Sequence, residues 1–283
     1  MSTPSSHDPA GRRFRLTLHY DGERFNGWQI QPGVRTVQHE LERVLSRLAD
    51  RRVTTVAAGR TDTGVHATGQ VASAILPVKW QAADLERAAN ALLPGDIWVA
   101  TVEEVPLDFH ARYDAVARGY VYRVGTRPSA RSPFSRRWCW PLGIVLDPVR
   151  LHDAARRFEG SHSFSAFARS GQPERGEQCT VIRSVWAERH GDGVDYEVTA
   201  NRFLHHMVRY MVGTMVDVAR ERRPASDIDG LLQGEAGLET SPPAPACGLF
   251  LAKVYYNDSE LDRNDELPVS PRFAIADADA ADG

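Results

Sequence analysis

Apolar spacing along this chain switches repeatedly between a period of two and a period of 3.6 residues. The order of those switches limits the folds open to it. Phe14-Arg-Leu-Thr-Leu-His-Tyr20 alternates without a fault, the pattern of a strand with one buried face. Asp21-Gly22 turns the chain, and Phe25-Asn-Gly-Trp28-Gln29 follows as an aromatic loop. Val37, Leu41, Val44, Leu45 and Leu48 then recur at helical spacing, with Thr36 placed to cap the first turn. The β-branched run 53–58 and residues 70–75 read as strands. A helix starting at Asp84 carries Leu85, Ala88, Ala89 and Leu92 on one face, and residues 97–102 form a further strand. Strand, helix, strand, strand, helix, strand is the split βαβ, ferredoxin-like arrangement.

The second half repeats this logic. Residues 120–124 read as a strand, and Asp147-Pro148 opens a helix bearing Leu151, Ala154, Ala155 and Phe158. Strands at 181–189 and 194–200 are joined by His190-Gly-Asp-Gly193, a hairpin turn. A long helix over roughly residues 203–221 carries Leu204, Met207, Val208, Met211, Val212, Met215 and Val218, and a strand at 249–256 closes the set. The fold class expected is α+β. Two fused ferredoxin-like halves, residues 12–107 and 108–257, form a central, mainly antiparallel sheet flanked by helices, with a cleft between them. Residues 1–11 and 258–283 are expected to be disordered, the first a polar tail and the second an acidic one.

Composition narrows the function classes. No apolar run reaches the length of a membrane span. Three scattered cysteines, Cys139, Cys179 and Cys247, give no disulfide or metal spacing and suit a reducing cytoplasm. The net charge of −3 hides a division: residues 257–283 hold eight acids against two arginines, a balance of −6, so the rest of the chain is +3. A mildly basic body neither demands nor forbids RNA.

The stretch that carries chemistry is Ala58-Gly-Arg-Thr-Asp-Thr-Gly-Val-His66. Two glycines, Gly59 and Gly64, flank a loop that holds Asp62 with Arg60 nearby. A carboxylate beside a cation stays ionised and can serve as nucleophile or base. The blander reading is a turn aspartate bonded to its own loop. Further on, Arg202, His205, His206 and Arg209 fall at i, i+3, i+4 and i+7, one face of the expected helix. That stripe is either a solvated surface or a face for phosphates. Zinc on His205 and His206 is not expected, because neighbours on a helix diverge by about 100°.

Several segments in order resemble the TruA family of tRNA pseudouridine synthases. They are Tyr20-Asp-Gly-x-x-Phe25-x-Gly-Trp28-Gln29, Gly59-Arg-Thr-Asp62-x-Gly-Val-His66, Asn90-x-x-Leu-Pro-x-Asp-Ile97, Phe109-x-Ala-Arg112 with Arg118-x-Tyr120-x-Tyr122, Phe203-Leu-His-His-Met-Val-Arg209 and Gly248-Leu-Phe-Leu251. The resemblance extends over roughly residues 14–256. The resemblance implies that Asp62 is the nucleophile, that Tyr120 stacks on the target uracil, and that Arg209 pairs with Asp62. It also implies that Arg60 helps expel the base from its stack. It implies uridines 38, 39 and 40 of the tRNA anticodon stem-loop as targets, a homodimer, and no metal or other cofactor.

Two rivals remain at this point. Asp62-Thr63-Gly64 matches an aspartic-protease signature, but no second Asp-Thr-Gly or Asp-Ser-Gly exists in the chain, and Arg60 opposes a shared proton. A noncatalytic RNA-binding module accounts for Tyr120 and the basic stripe but leaves the Arg60/Asp62 loop without a purpose. His110 and the Met207, Met211 and Met215 stripe read as structural.

Overall fold

The alternating run near the N-terminus lies inside strand β1 (Gly11–Tyr20), with Phe14, Leu16, Leu18 and Tyr20 buried and the residues between them partly exposed. The computed structural model describes residues 11–169, 176–189, 193–261 and 267. Residues 1–10, most of the 190–193 turn and most of the acidic tail lie outside them. After β1 come α1 (Val37–Ala49), β2 (Val56–Ala57), β3 (His66–Pro77), α2 (Ala82–Leu92), β4 (Ile97–Val105) and β5 (Ala117–Gly125). Then follow β6 (Trp140–Pro141), α3 (Pro148–Arg156), β7 (Gly160–Ser163), β8 (Gln178–Arg189) and β9 (Gly193–Ala200). The chain closes with α4 (Met207–Ala219), α5 (Ser226–Gln233) and β10 (Leu249–Tyr255).

The described strands form one sheet in the order β4-β1-β3-β10-β5-β9-β8-β7, with β2 on β3 and β6 on β5. Its pairings are antiparallel except β3–β10 and β5–β6. The last strand therefore joins the halves. Phe250 and Leu251 pair in parallel with His66 and Ala67 of β3, while β10's other edge runs antiparallel to β5. One continuous core gathers Leu16 and Leu18 of β1, Leu41 of α1, Tyr122 of β5, Leu151 of α3 and Met211 of α4. Methionines 207, 211 and 215 are all buried there, the structural role expected of them. Burying each such side chain contributes about 1.5–3 kcal/mol. A smaller cluster of Ala117, Val121, Ala252 and Tyr255 includes Leu267, from within the acidic tail.

Helix starts follow their caps. Thr36 Oγ1 accepts from the His39 N–H at 3.4 Å, and the Asp147 carboxylate accepts from Val149 and Arg150 at 2.9 and 3.2 Å. Two expectations need correction. Of residues 53–58 only Val56–Ala57 form a strand, with the Ala58 N–H adding one bond to the Val71 carbonyl of β3 at 2.8 Å, because helix α1 takes the earlier N–H groups. Ser46 Oγ accepts from Val53 at 2.9 Å, and the Glu42 carboxylate accepts from Thr55 at 2.8 Å. The helix expected from Phe203 begins only at Met207. His206 sits at φ 64, ψ 4, in the left-handed region that a right-handed helix does not pass through. Asn201, the capping-type residue just upstream, spends its side-chain oxygen on the Thr180 N–H at 2.9 Å. Arg202, His205, His206 and Arg209 therefore do not share a helical face.

Candidate active site

Strand β2 leaves the edge of β3 after Ala57, and β10 takes the same edge at His66. Residues 58–65 arch over the gap between them. The first end of the arch is tied to the sheet, and at the other the Gly64 N–H donates to the Phe25 carbonyl of the aromatic loop at 3.3 Å. Gln70 Nε2 donates to the Gly59 carbonyl at 2.8 Å, and the Arg118 guanidinium donates to the Ala58 carbonyl at 2.9 Å. Beneath it, the buried Tyr20 hydroxyl and Thr61 Oγ1 lie 2.8 Å apart, and the Trp28 N–H donates to the Thr61 carbonyl at 3.0 Å. Val65 N–H donates to the Asp62 carbonyl at 3.1 Å, closing a turn around the acid. The aromatic loop approaches so closely that it needs glycine. A Cβ on Gly27, whose φ is +79, would lie 2.6 Å from the Thr61 carbonyl oxygen. The arch is thus fixed through its backbone, which leaves the Asp62 side chain to face outward, one-quarter exposed.

Two imidazoles from the other half of the chain meet that carboxylate. His205 Nε2 lies 3.4 Å from Asp62 Oδ1 and His206 Nε2 lies 3.4 Å from Oδ2, with the two rings 4.1 Å apart. Burial lowers the His206 pKa, and His205, Arg209 and Arg169 push it the same way, while Asp62 opposes them. The net effect favours its neutral form. Tyr120 is buried on β5 with its ring edge-on to Phe203 at 4.9 Å. Burial, then the charges of Tyr20 and Asp62, push its phenol well above the ordinary range, so it stays protonated.

Asp62 lies near enough for its charge to act on Tyr120, and neither of the two arginines pairs with it among the described residues. Arg60 is exposed, and its side chain makes no ion pair or hydrogen bond among the described residues. Arg209 Nε donates to the Ala244 carbonyl at 2.7 Å, and the Ala244 N–H returns a bond to the Arg209 carbonyl at 2.9 Å. The expected Arg209–Asp62 pair is not formed, and the histidines stand in its place. Their convergence was hidden by the helix that residues 203–206 do not form. The two rings do not diverge as they would on a helix: Asp62, His205 and His206 offer three ligand atoms all within 4.8 Å of one another.

His66, at the end of the arch, is buried and stacks on Phe250 at 4.8 Å, with Nδ1 3.0 Å from the Gly22 N–H and 3.1 Å from Asp21 Oδ1. His110 is structural as expected, its Nδ1 accepting from the Arg112 and Tyr113 N–H groups at 3.2 and 3.1 Å.

Comparison with known proteins bears on what this constellation does. The family described as tRNA pseudouridine synthase matches residues 17–114 and 154–257. "tRNA pseudouridine synthase A" of Myxococcus xanthus is 41% identical over 251 residues, covering 87% of this chain and 92% of the relative. The protein of the same name from Chlorobium luteolum is 40% identical over 248 residues, covering 87% and 96%. A solved Cbf5-Nop10-Gar1 complex aligns with 84% of this chain and 57% of its own at 10% identity and a TM-score of 0.35, too slight a likeness to bear on the fold. Among the described residues, no helix is long and apolar enough to cross a membrane.

Proposed function

The chain belongs to the tRNA pseudouridine synthase family, isomerases that act on tRNA, and from that premise we propose that Asp62 is its nucleophile and uridines 38, 39 and 40 of the anticodon stem-loop its targets. One observation carries the assignment. The Asp62 carboxylate projects from a loop anchored to Tyr20, Trp28, Gln70 and Arg118, where the two halves of the sheet join and its charge acts on the buried Tyr120.

The reaction breaks N1–C1′, turns the uracil and bonds C5 to C1′, with C5 losing its proton to solvent and N1 taking one up. Nothing is oxidised and no group departs, so neither a redox cofactor nor a nucleotide is needed. Asp62 attacks C1′ or removes the C2′ proton, and either role uses the ionised carboxylate. Flipping the uridine out of the stem costs a few kcal/mol. Stacking on Tyr120 returns about 1–3 kcal/mol of that. Arg60, exposed and without a partner among the described residues, is free to enter the helix behind the departing base. Arg209, held among the described residues through Nε, keeps its terminal nitrogens for a phosphate or for Asp62 once RNA is bound.

Three neighbouring targets imply that tRNA is read by shape and backbone, as RNA helices generally demand. A cytoplasmic homodimer completes the reading. The order β4-β1-β3, with β2 beside β3, supports a split βαβ unit for the N-terminal half.

Mapping tests the target assignment. Unmodified tRNA transcripts incubated with the protein, treated with a carbodiimide and copied by reverse transcriptase should give new stops at positions 38–40 alone. Stops elsewhere, or none, would overturn it.

A further inference from the structure

We infer that Asp62, His205 and His206 form a binding site for a transition-metal cation of the zinc class, and that its occupation switches catalysis off. Each imidazole nitrogen lies 3.4 Å from a carboxylate oxygen. Zinc bonds of about 2.1 Å, opened to the tetrahedral angle, set neighbouring ligand atoms about 3.4 Å apart. The three ligand atoms lie within 4.8 Å of one another, and the His205 side chain, 38% exposed, has room to turn.

The donor chemistry selects the ion. Two imidazoles and one carboxylate suit zinc and its neighbours, whereas magnesium and calcium prefer oxygen alone. Three protein ligands also leave a fourth position open to water.

The backbone supports the same site. His206 is not glycine, yet it holds φ 64, a conformation that costs about 1–2 kcal/mol and persists only when its surroundings impose it. In an unbroken helix the two rings would diverge by about 100°. The left-handed residue instead brings them to 4.1 Å, both toward one carboxylate. No lysine or arginine nitrogen lies within 4.0 Å of that carboxylate among the described residues.

The consequence for catalysis rests on the reading of Asp62 as nucleophile: a carboxylate bound to a cation is not free to attack C1′ or take a proton.

The full chain is titrated with zinc chloride by calorimetry in a non-coordinating buffer, alongside His205→Ala, His206→Ala and Asp62→Asn, with magnesium chloride as control. Thermal melting checks that each variant is folded. The expected result is one zinc per chain, no magnesium binding, and affinity reduced more than about ten-fold in each variant. No one-to-one binding, or wild-type affinity in both histidine variants, overturns the site. Tritium release from C5-labelled tRNA, with and without zinc and then with a chelator, tests the second half. Loss of release on zinc binding and recovery with chelator support it. Full release by the zinc-loaded protein overturns the switch while leaving the site in place. Absence of release from the metal-free protein counts against the nucleophile reading instead.

Discussion

The two segments that face each other across Asp62 are built in opposite ways. Residues 58–65 are anchored through buried or backbone groups to Tyr20, Trp28, Gln70 and Arg118, and Gly27 packs against them with no room for a Cβ. Residues 203–206 carry a left-handed histidine, and the helix they lead into has no side-chain cap. The first segment determines where a carboxylate stands. The second presents partly exposed rings that can adjust to what arrives. Reactive groups gain rate from fixed geometry, whereas groups that meet a large substrate need room to move.

The largest effect that would break this contrast comes from the rigid side. Gly27→Ala places a methyl 2.6 Å from the Thr61 carbonyl at a φ of +79, so the arch must shift. A displacement of this kind is expected to lower the rate of tritium release about 100-fold. It should also cost about 1–3 kcal/mol, read as a lower melting temperature. Wild-type activity in Gly27→Ala would show that the arch is not rigid.

Tyr20→Phe is gentler. It leaves Thr61 Oγ1 buried without its 2.8 Å partner, at a cost of about 1–2 kcal/mol by denaturant unfolding. tRNA affinity should hold, because Tyr20 is buried beneath the site.

On the adaptable side, His206→Gly should unfold about 1 kcal/mol later than His206→Ala, since only glycine tolerates φ 64 without strain. Equal stability of the two would mean that the left-handed turn is not imposed by its surroundings.

The smallest effect is one of pH. The folded-state pKa of His206 lies below its ordinary 6.5. The unfolded chain therefore binds more protons between those two values, and stability rises with pH through that window and levels off above 6.5. His206→Gln should flatten the slope there; an unchanged slope would assign it to other groups, His19 being shifted in the same direction.

The same contrast explains what the sequence disclosed. Strand β1 and helix α1 could be read directly, because each is set by spacing within a few residues and by the Thr36 cap. The candidate acid was legible for a similar reason, since its loop is written in a contiguous stretch. Val53–Thr55 misled because the run is β-branched, while its N–H groups are claimed by Ser46 and Glu42 of α1, a tertiary choice. The seam between the halves depends on Phe250 and Leu251 finding His66 and Ala67 from far along the chain, which no local pattern encodes. The histidine pair was missed through one residue. His206 bears no mark of a left-handed conformation, and apolar spacing from Leu204 to Val218 runs on across the break. The arginine expected at Asp62 is engaged by Ala244, a backbone partner that pattern reading does not reveal.

The most direct test of the central claim compares wild type with Asp62→Asn for tritium release from C5-labelled uridine in tRNA, with no cofactor added and tRNA affinity measured in parallel. Asparagine keeps the shape of the side chain and removes its charge. The account predicts release by the wild type, at least a ~10⁴-fold loss in the variant, and tRNA affinity within about three-fold of wild type. Release by Asp62→Asn within about ten-fold of wild type would contradict it and move the nucleophile elsewhere.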